Sequence, residues 1–270
     1  TDILLRARAA GLPPPPAGCM LRRAMSSGKP SARAALAAFL LSVALAGGSP
    51  AVAAPEPLEP AFTWNAIGRV NVPHGFCTGT LVGPSEVLTV AHCLWSRRRE
   101  RLYDPDEVHF VAGWRRGSHI AHARASAFRL ASDLVFDARG LPTRLETDWA
   151  VLRLERALLD LDLLQPLAVG WPGGRPTVAR SAQLLGYAQD RPHLPVRLAP
   201  CPIESASGPA GLLLHGCVAS QGLSGAPLLV PDGTTGWSVV GVHLGSILHE
   251  GRRVGVAVPL RRSLPETLFR

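Results

Sequence analysis

Two antiparallel β-barrels of six strands each, an all-β fold, are what this sequence predicts, and three observations lead there. Short apolar runs recur in two series of six; turn residues separate them, with 27 Gly and 25 Pro among 270 residues; and few stretches carry a long helical period. The first series covers 66–72, 76–82, 87–90, 108–112, 119–128 and 149–154. The second covers 177–187, 196–201, 212–217, 226–230, 237–242 and 254–258.

Many of these runs are bounded by residues that stop a strand. Pro73, Gly83 with Pro84, and Gly113 with Gly117 close runs of the first series, as Pro192, Gly208 and Gly233 do in the second. Proline withholds a ladder donor and glycine accepts turn dihedrals. The run Trp149-Ala-Val-Leu-Arg-Leu154 reads as a half-buried strand opened by Asp148. Residues 156–164 read as a helical turn or as the linker between barrels. The chain therefore divides into a leader at 1–54, an N-terminal barrel at 55–155, and a C-terminal barrel with its last segment at 156–270.

The leader is set apart by its pattern. From Met25, Lys29 and Arg33 give a positive start, residues 34–46 an apolar core, and Ala51-Val52-Ala53 a small-residue cleavage site, as in a secretory signal. The apolar run is short of the roughly 20 residues that span a bilayer. A product secreted or released to the periplasm after cleavage near Ala53 is expected, with no stable membrane association. Residues 1–24 read as translated leader or as an over-extended gene start. Cys19, with no apolar run before it, is discounted as a lipid-attachment site. Residues 55–60 are a candidate pro-segment.

Charge and cysteine usage narrow the class. The formal net charge is +8, but the leader holds six of the 28 basic and one of the 20 acidic residues, which leaves +3 for the remainder. That is an ordinary surface charge, and no nucleic-acid partner is expected. Setting Cys19 aside leaves four of the five cysteines, Cys77, Cys93, Cys201 and Cys217, which permit three pairings. Without a C-x-x-C spacing, disulfides are favoured over a zinc site or free thiols, and disulfides belong to an oxidising compartment. Cys201 with Cys217 would close a loop just before the serine turn considered next.

Three distant runs carry the chemistry: Leu88-Thr-Val-Ala-His-Cys-Leu-Trp95, Asp148-Trp-Ala-Val-Leu-Arg-Leu154 and Gln221-Gly-Leu-Ser-Gly-Ala-Pro-Leu228. Serine is a poor nucleophile alone; it needs a base for its proton and backbone donors for the oxyanion that follows. His92 supplies the base, and the tight turn around Ser224 can supply the donors. Asp148 would hold the imidazole in the right tautomer. Asp133, Asp137, Asp160 and Asp162 compete for that role, but each lies in or beside a less regular, turn-prone stretch.

In the order His, Asp, Ser, these runs resemble the chymotrypsin-like (trypsin-fold) serine endopeptidases, over a span from about Trp64 to about Pro259. The resemblance implies an active site in the cleft between two barrels, with catalytic residues His92, Asp148 and Ser224. It implies backbone oxyanion donors on Gly222 and Ser224, and peptide-bond hydrolysis through an acyl-enzyme. It also places Cys77 and Cys93 at the positions of the family's histidine-loop disulfide and suggests a short terminal helix at 260–270. A protein or peptide substrate and a monomeric state are expected. Leu223 stands where the trypsin-type pattern has an aspartate that pairs with a freed N-terminal amine. Leucine cannot make that ion pair, which moves the likeness toward bacterial secreted members and makes Ala66-Ile-Gly-Arg-Val70 a strand rather than a new N-terminus. The alternative is a catalytically inactive, protease-fold binding protein whose altered serine turn no longer forms the oxyanion hole.

Substrate choice rests on thinner signals. The run Gly241-Val-His-Leu-Gly-Ser246 resembles the Gly-Ile-His stretch of bacterial glutamyl endopeptidases, in which the histidine binds a substrate carboxylate. His243 is then a substrate-binding candidate, against the plainer reading of a histidine filling a strand end. The threonine that accompanies it in those enzymes appears as Ala219. No aspartate occurs near Val218, at the base of the expected pocket, so an Arg or Lys preference is not expected. The charged run 97–101 reads as a solvated loop, with attraction of acidic substrates as its alternative. His119 and His122 would fall on opposite faces of a strand. His74, His109, His193, His215 and His249 lack partners at ligand spacing, so no metal and no organic cofactor are expected.

Overall fold

Sixteen strands and four short 3-10 turns make up the described residues of the computed structural model, which are 64–159, 163–174, 181–205, 208–233 and 236–260. The expected signal peptide, Cys19, the segment 55–60 and the expected terminal helix lie outside them. Among the described residues no helix is long and apolar enough to cross a membrane.

The first eight strands are β1 (Ile67–Val72), β2 (Gly75–Gly83), β3 (Glu86–Thr89), β4 (Trp95–Ser96), β5 (Arg101–Leu102), β6 (His109–Ala112), β7 (Ala121–Leu130) and β8 (Ala150–Leu154). Six of them close a barrel in the order β1-β2-β3-β8-β7-β6, while β4 and β5 form a separate hairpin. Closure follows from the side-chain pattern, because strands that turn Val70, Leu81, Val87, Phe110 and Leu152 to one side can bury them only by wrapping around them. Residues 156–159 and 163–164 are not helical, which leaves them to the connection between barrels.

The second half holds β9 (Ala168–Val169), β10 (Ser181–Gly186), β11 (Val196–Arg197), β12 (Cys201–Ser205), β13 (Leu213–His215), β14 (Pro227–Pro231), β15 (Trp237–His249) and β16 (Arg252–Pro259). The order β10-β12-β13-β16-β15-β14 is closed by pairing of β14 with β10, giving a second six-stranded antiparallel barrel. The run expected at 196–201 is split between β11 and β12, since Pro200 stands in the junction and cannot donate to a ladder. The strand expected at 237–242 continues to His249, with a register shift between His243 and Gly245. That bulge bends β15 where it enters the cleft.

The barrels belong to one folded unit. They meet through apolar packing, in a cluster that joins Val70 and Leu81 to Leu229, Val239 and Val256, and through hydrogen bonds. Thr78 on β2 is the main fastener. Its N–H donates to Ser224 O at 2.9 Å, its hydroxyl donates to Gly222 O at 3.0 Å, and it accepts the Tyr187 N–H at 2.9 Å. Tyr187 in turn donates its hydroxyl to Trp114 O at 3.0 Å, and Trp114 Nε1 donates to Pro192 O at 3.1 Å.

Two disulfides, Cys77–Cys93 and Cys201–Cys217, each close a loop of sequence separation 16. In the chain-entropy picture a loop of that length contributes about 3 kcal/mol.

Candidate active site

His92 lies on the 3-10 turn Ala91–Leu94 that follows β3, and its neighbour Cys93 ties that turn to β2 through Cys77. Asp148 caps a second 3-10 turn, Leu145–Thr147, just before β8, and its side chain is only 1% exposed. Because β3 and β8 are paired, the two turns emerge side by side at one end of the barrel. The Asp148 carboxylate spans them: Oδ1 accepts the His92 backbone N–H at 2.9 Å, and Oδ2 lies 2.6 Å from His92 Nδ1. An ionised carboxylate can only accept, so the imidazole carries its hydrogen on Nδ1 and presents a lone pair at Nε2.

Ser224 sits in the turn between β13 and β14, braced from both barrels. Beyond the contacts with Thr78, Gly225 N–H donates to His243 O at 2.8 Å and His243 N–H returns a bond to Ala226 O at 2.9 Å. Gly222 has φ +92, and a Cβ there would lie 2.5 Å from Tyr187 O, so only glycine permits this approach. Leu223, fully buried, packs its side chain over Gly186 in the second barrel's core. The turn is therefore held by apolar packing where the trypsin-type pattern would use an ion pair. Neither the Gly222 nor the Ser224 N–H donates to a backbone carbonyl among the described residues.

His92 and Ser224 line one cleft of about 450 Å³ between the barrels, together with Ala219, Ser220, His243 and Leu244. The Ser224 hydroxyl donates to Leu244 O at 3.1 Å, and no hydrogen bond joins it to His92. Val218 is 82% exposed and is not part of the cleft wall.

The histidine positions differ from expectation. His215 and His243 are partners, with His215 Nε2 3.1 Å from His243 Nδ1. His109 Nδ1 likewise lies 2.9 Å from His122 Nε2, and the His119 ring meets His122 edge-on at 6.2 Å. Sequence spacing misses such pairs because strand register creates them. His109 is paired with Arg124, which makes His122 its diagonal neighbour on the same face. His215 reaches His243 across β16 at Gly255, where a Cβ would collide with the His215 ring. Thr78 was equally hidden: a threonine inside a strand gives no sign that its hydroxyl serves another barrel.

Burial dominates the electrostatics of this inner pair. It pushes His215 down to about 4 and His243 well below the ordinary histidine range, and the neighbouring imidazole lowers His243 further. Among the described residues, two sets of side chains lie close enough to share a metal ion, Cys77-His92-Cys93 and Cys201-His215-Cys217. In both, the sulfurs are joined as a disulfide and offer no thiolate.

Comparison with known proteins agrees with this architecture. A family model described as Trypsin matches residues 56–193. Among solved structures, a Glu endopeptidase in complex with MPD superposes with a TM-score of 0.57 at 15% identity, covering 75% of this chain and 88% of that chain.

Proposed function

Because the chain belongs to the trypsin family of serine endopeptidases, we propose that it hydrolyses peptide bonds through Ser224, His92 and Asp148, with a preference for an acidic residue on the acyl side. The observation that carries this reading is the Asp148 carboxylate, which engages both the backbone and the ring of His92 while that ring shares a cleft with Ser224. Rotation of Ser224 about χ1 exchanges the Leu244 carbonyl for His92 Nε2. The imidazole then takes the hydroxyl proton as Oγ attacks the carbonyl carbon. The N–H groups of Gly222 and Ser224 receive the oxyanion, a contribution of about 3 kcal/mol per donor. Next His92 passes its proton to the leaving amine, which departs and leaves acyl-Ser224. Water, deprotonated by the same ring, releases the acid and regenerates the hydroxyl.

The acidic preference follows from the inner histidine pair. His215 Nδ1 is buried without a partner. An orphaned N–H is costlier than a bare lone pair, so the hydrogen of His215 belongs on Nε2, donated to His243 Nδ1. His243 then carries its own hydrogen on Nε2; its ring lies in the wall of the cleft and within hydrogen-bonding reach of the Val256 carbonyl, so a substrate carboxylate would compete with that carbonyl for the donor. The two disulfides support an oxidising compartment, in keeping with export directed by the signal-like leader.

A second reading, a protease-fold binding protein, is favoured by one observation, the Ser224 hydroxyl resting on Leu244. Peptide-library cleavage separates the two. We expect cuts after Glu over Gln by about 10- to 100-fold, the worth of one hydrogen bond to a charged group. Ser224→Ala and His92→Ala each abolish cleavage, and His243→Ala brings Glu down toward Gln. Cleavage that persists in Ser224→Ala, or a folded wild-type protein that never cuts, rejects the proposal.

A further inference from the structure

The loop that follows His92 carries an arrangement of charge that the proposed reaction does not use. Between β4 and the first residue of β5 it presents Arg97, Arg98, Arg99 and Glu100, with Arg101 opening β5. Two of the four arginines are committed to the loop's own structure. Arg99 binds Glu107 at 2.6 Å, and Arg101 grips both oxygens of Asp104 at 2.9 Å. Asp104 and Glu107 are thereby held by Arg99 and Arg101. Arg97 and Arg98 form no ion pair among the described residues, and both side chains line the cleft that contains His92 and Ser224. Among the described residues no carboxylate lines that cleft; Asp148 is buried behind the imidazole.

The chemistry assigns this wall to one half of the substrate. The acyl half places its carbonyl oxygen at Gly222 and Ser224 and its side chain toward Ala219 and His243, on the second barrel. The leaving nitrogen must take its proton from His92, so the chain beyond it departs over the first barrel. There it meets Phe76, the Cys77–Cys93 disulfide and, five and six residues after His92, Arg97 and Arg98.

We propose that Arg97 and Arg98 form a subsite for acidic residues on the leaving-group side of the scissile bond, making them specificity residues for a substrate with a carboxylate just after the cut. The proposal rests on the endopeptidase reading above. The two cations are exposed, so their attraction works over about a Debye length, ~10 Å at 0.1 M salt, and weakens as salt rises.

The test uses two peptides with identical acyl halves that differ only in the two residues after the cut, Asp-Asp in one and the near-isosteric Asn-Asn in the other. The full protein should cleave the Asp-Asp peptide with kcat/KM roughly five- to tenfold higher at low salt, with the ratio shrinking at high salt. In R97Q/R98Q the ratio falls to about one. In R97E/R98E, Asp-Asp becomes the poorer substrate and a Lys-Lys peptide improves. Equal cleavage of the two peptides by wild type overturns the proposal, as does an Asp-Asp preference that survives in R97Q/R98Q. Failure of the underlying reading looks different: neither peptide is cut, and Ser224 takes no fluorophosphonate.

Discussion

The Asp148 carboxylate does two jobs with two oxygens, and a single-atom change separates them. In Asp148→Asn one oxygen remains to accept the His92 N–H, so the turn keeps its shape. The amide NH2 that replaces the other oxygen is a donor, and it forces the hydrogen of His92 onto Nε2, where the base is needed. We expect kcat to fall by about 10⁴ with little change in the folded structure, read from steady-state cleavage alongside near-ultraviolet circular dichroism. His215 makes a different prediction. Burial holds its folded pKa at about 4, below the ~6.5 of an unfolded histidine. The unfolded chain therefore binds the extra proton between those values, and stability falls as pH drops from about 6.5 to 4. Thermal unfolding across that window should show a declining Tm, with a shallower decline in His215→Gln. His243 is shifted the same way and steepens the wild-type slope.

Elements act here through what they hold in register. Strand β2 carries Thr78 into the second barrel, where one side chain and its N–H brace Gly222, Ser224 and Tyr187. Thr78→Val keeps the shape and removes the hydroxyl, leaving Gly222 O and Tyr187 N–H without this partner. A loss of about 1–3 kcal/mol is expected in denaturant unfolding, with a drop in kcat because the serine turn loses a brace. A variant as stable and active as wild type would mean that the turn stands without it.

The same elements show why some features were legible in the sequence and others were not. The barrel strands could be read because apolar runs bounded by Gly and Pro are local signals. So could the triad candidates, since Ala91-His-Cys93, Asp148-Trp149 and Gly222-Leu-Ser-Gly225 each sit in a distinctive local run. The His215–His243 and His109–His122 pairs could not, because register across strands brings them together. The extension of β15 to His249 was hidden by Gly245, which reads as a stop but serves as a bulge.

Two closed barrels place His92 on one side of a cleft and Ser224 on the other, and the proposed reaction depends on their meeting. The turn that carries Ser224 is secured by the buried Leu223 and by bonds to Thr78 and His243, so its shape needs no freed N-terminal amine. The proposed reaction also requires the Ser224 hydroxyl to leave the Leu244 carbonyl for the imidazole. The most direct measurement is covalent labelling by a fluorophosphonate followed by peptide mapping, because the reagent reacts only where a base activates the hydroxyl. One adduct is expected, on Ser224, lost in both Ser224→Ala and His92→Ala. A folded wild-type protein that takes no label, or takes it on a different serine, would contradict it.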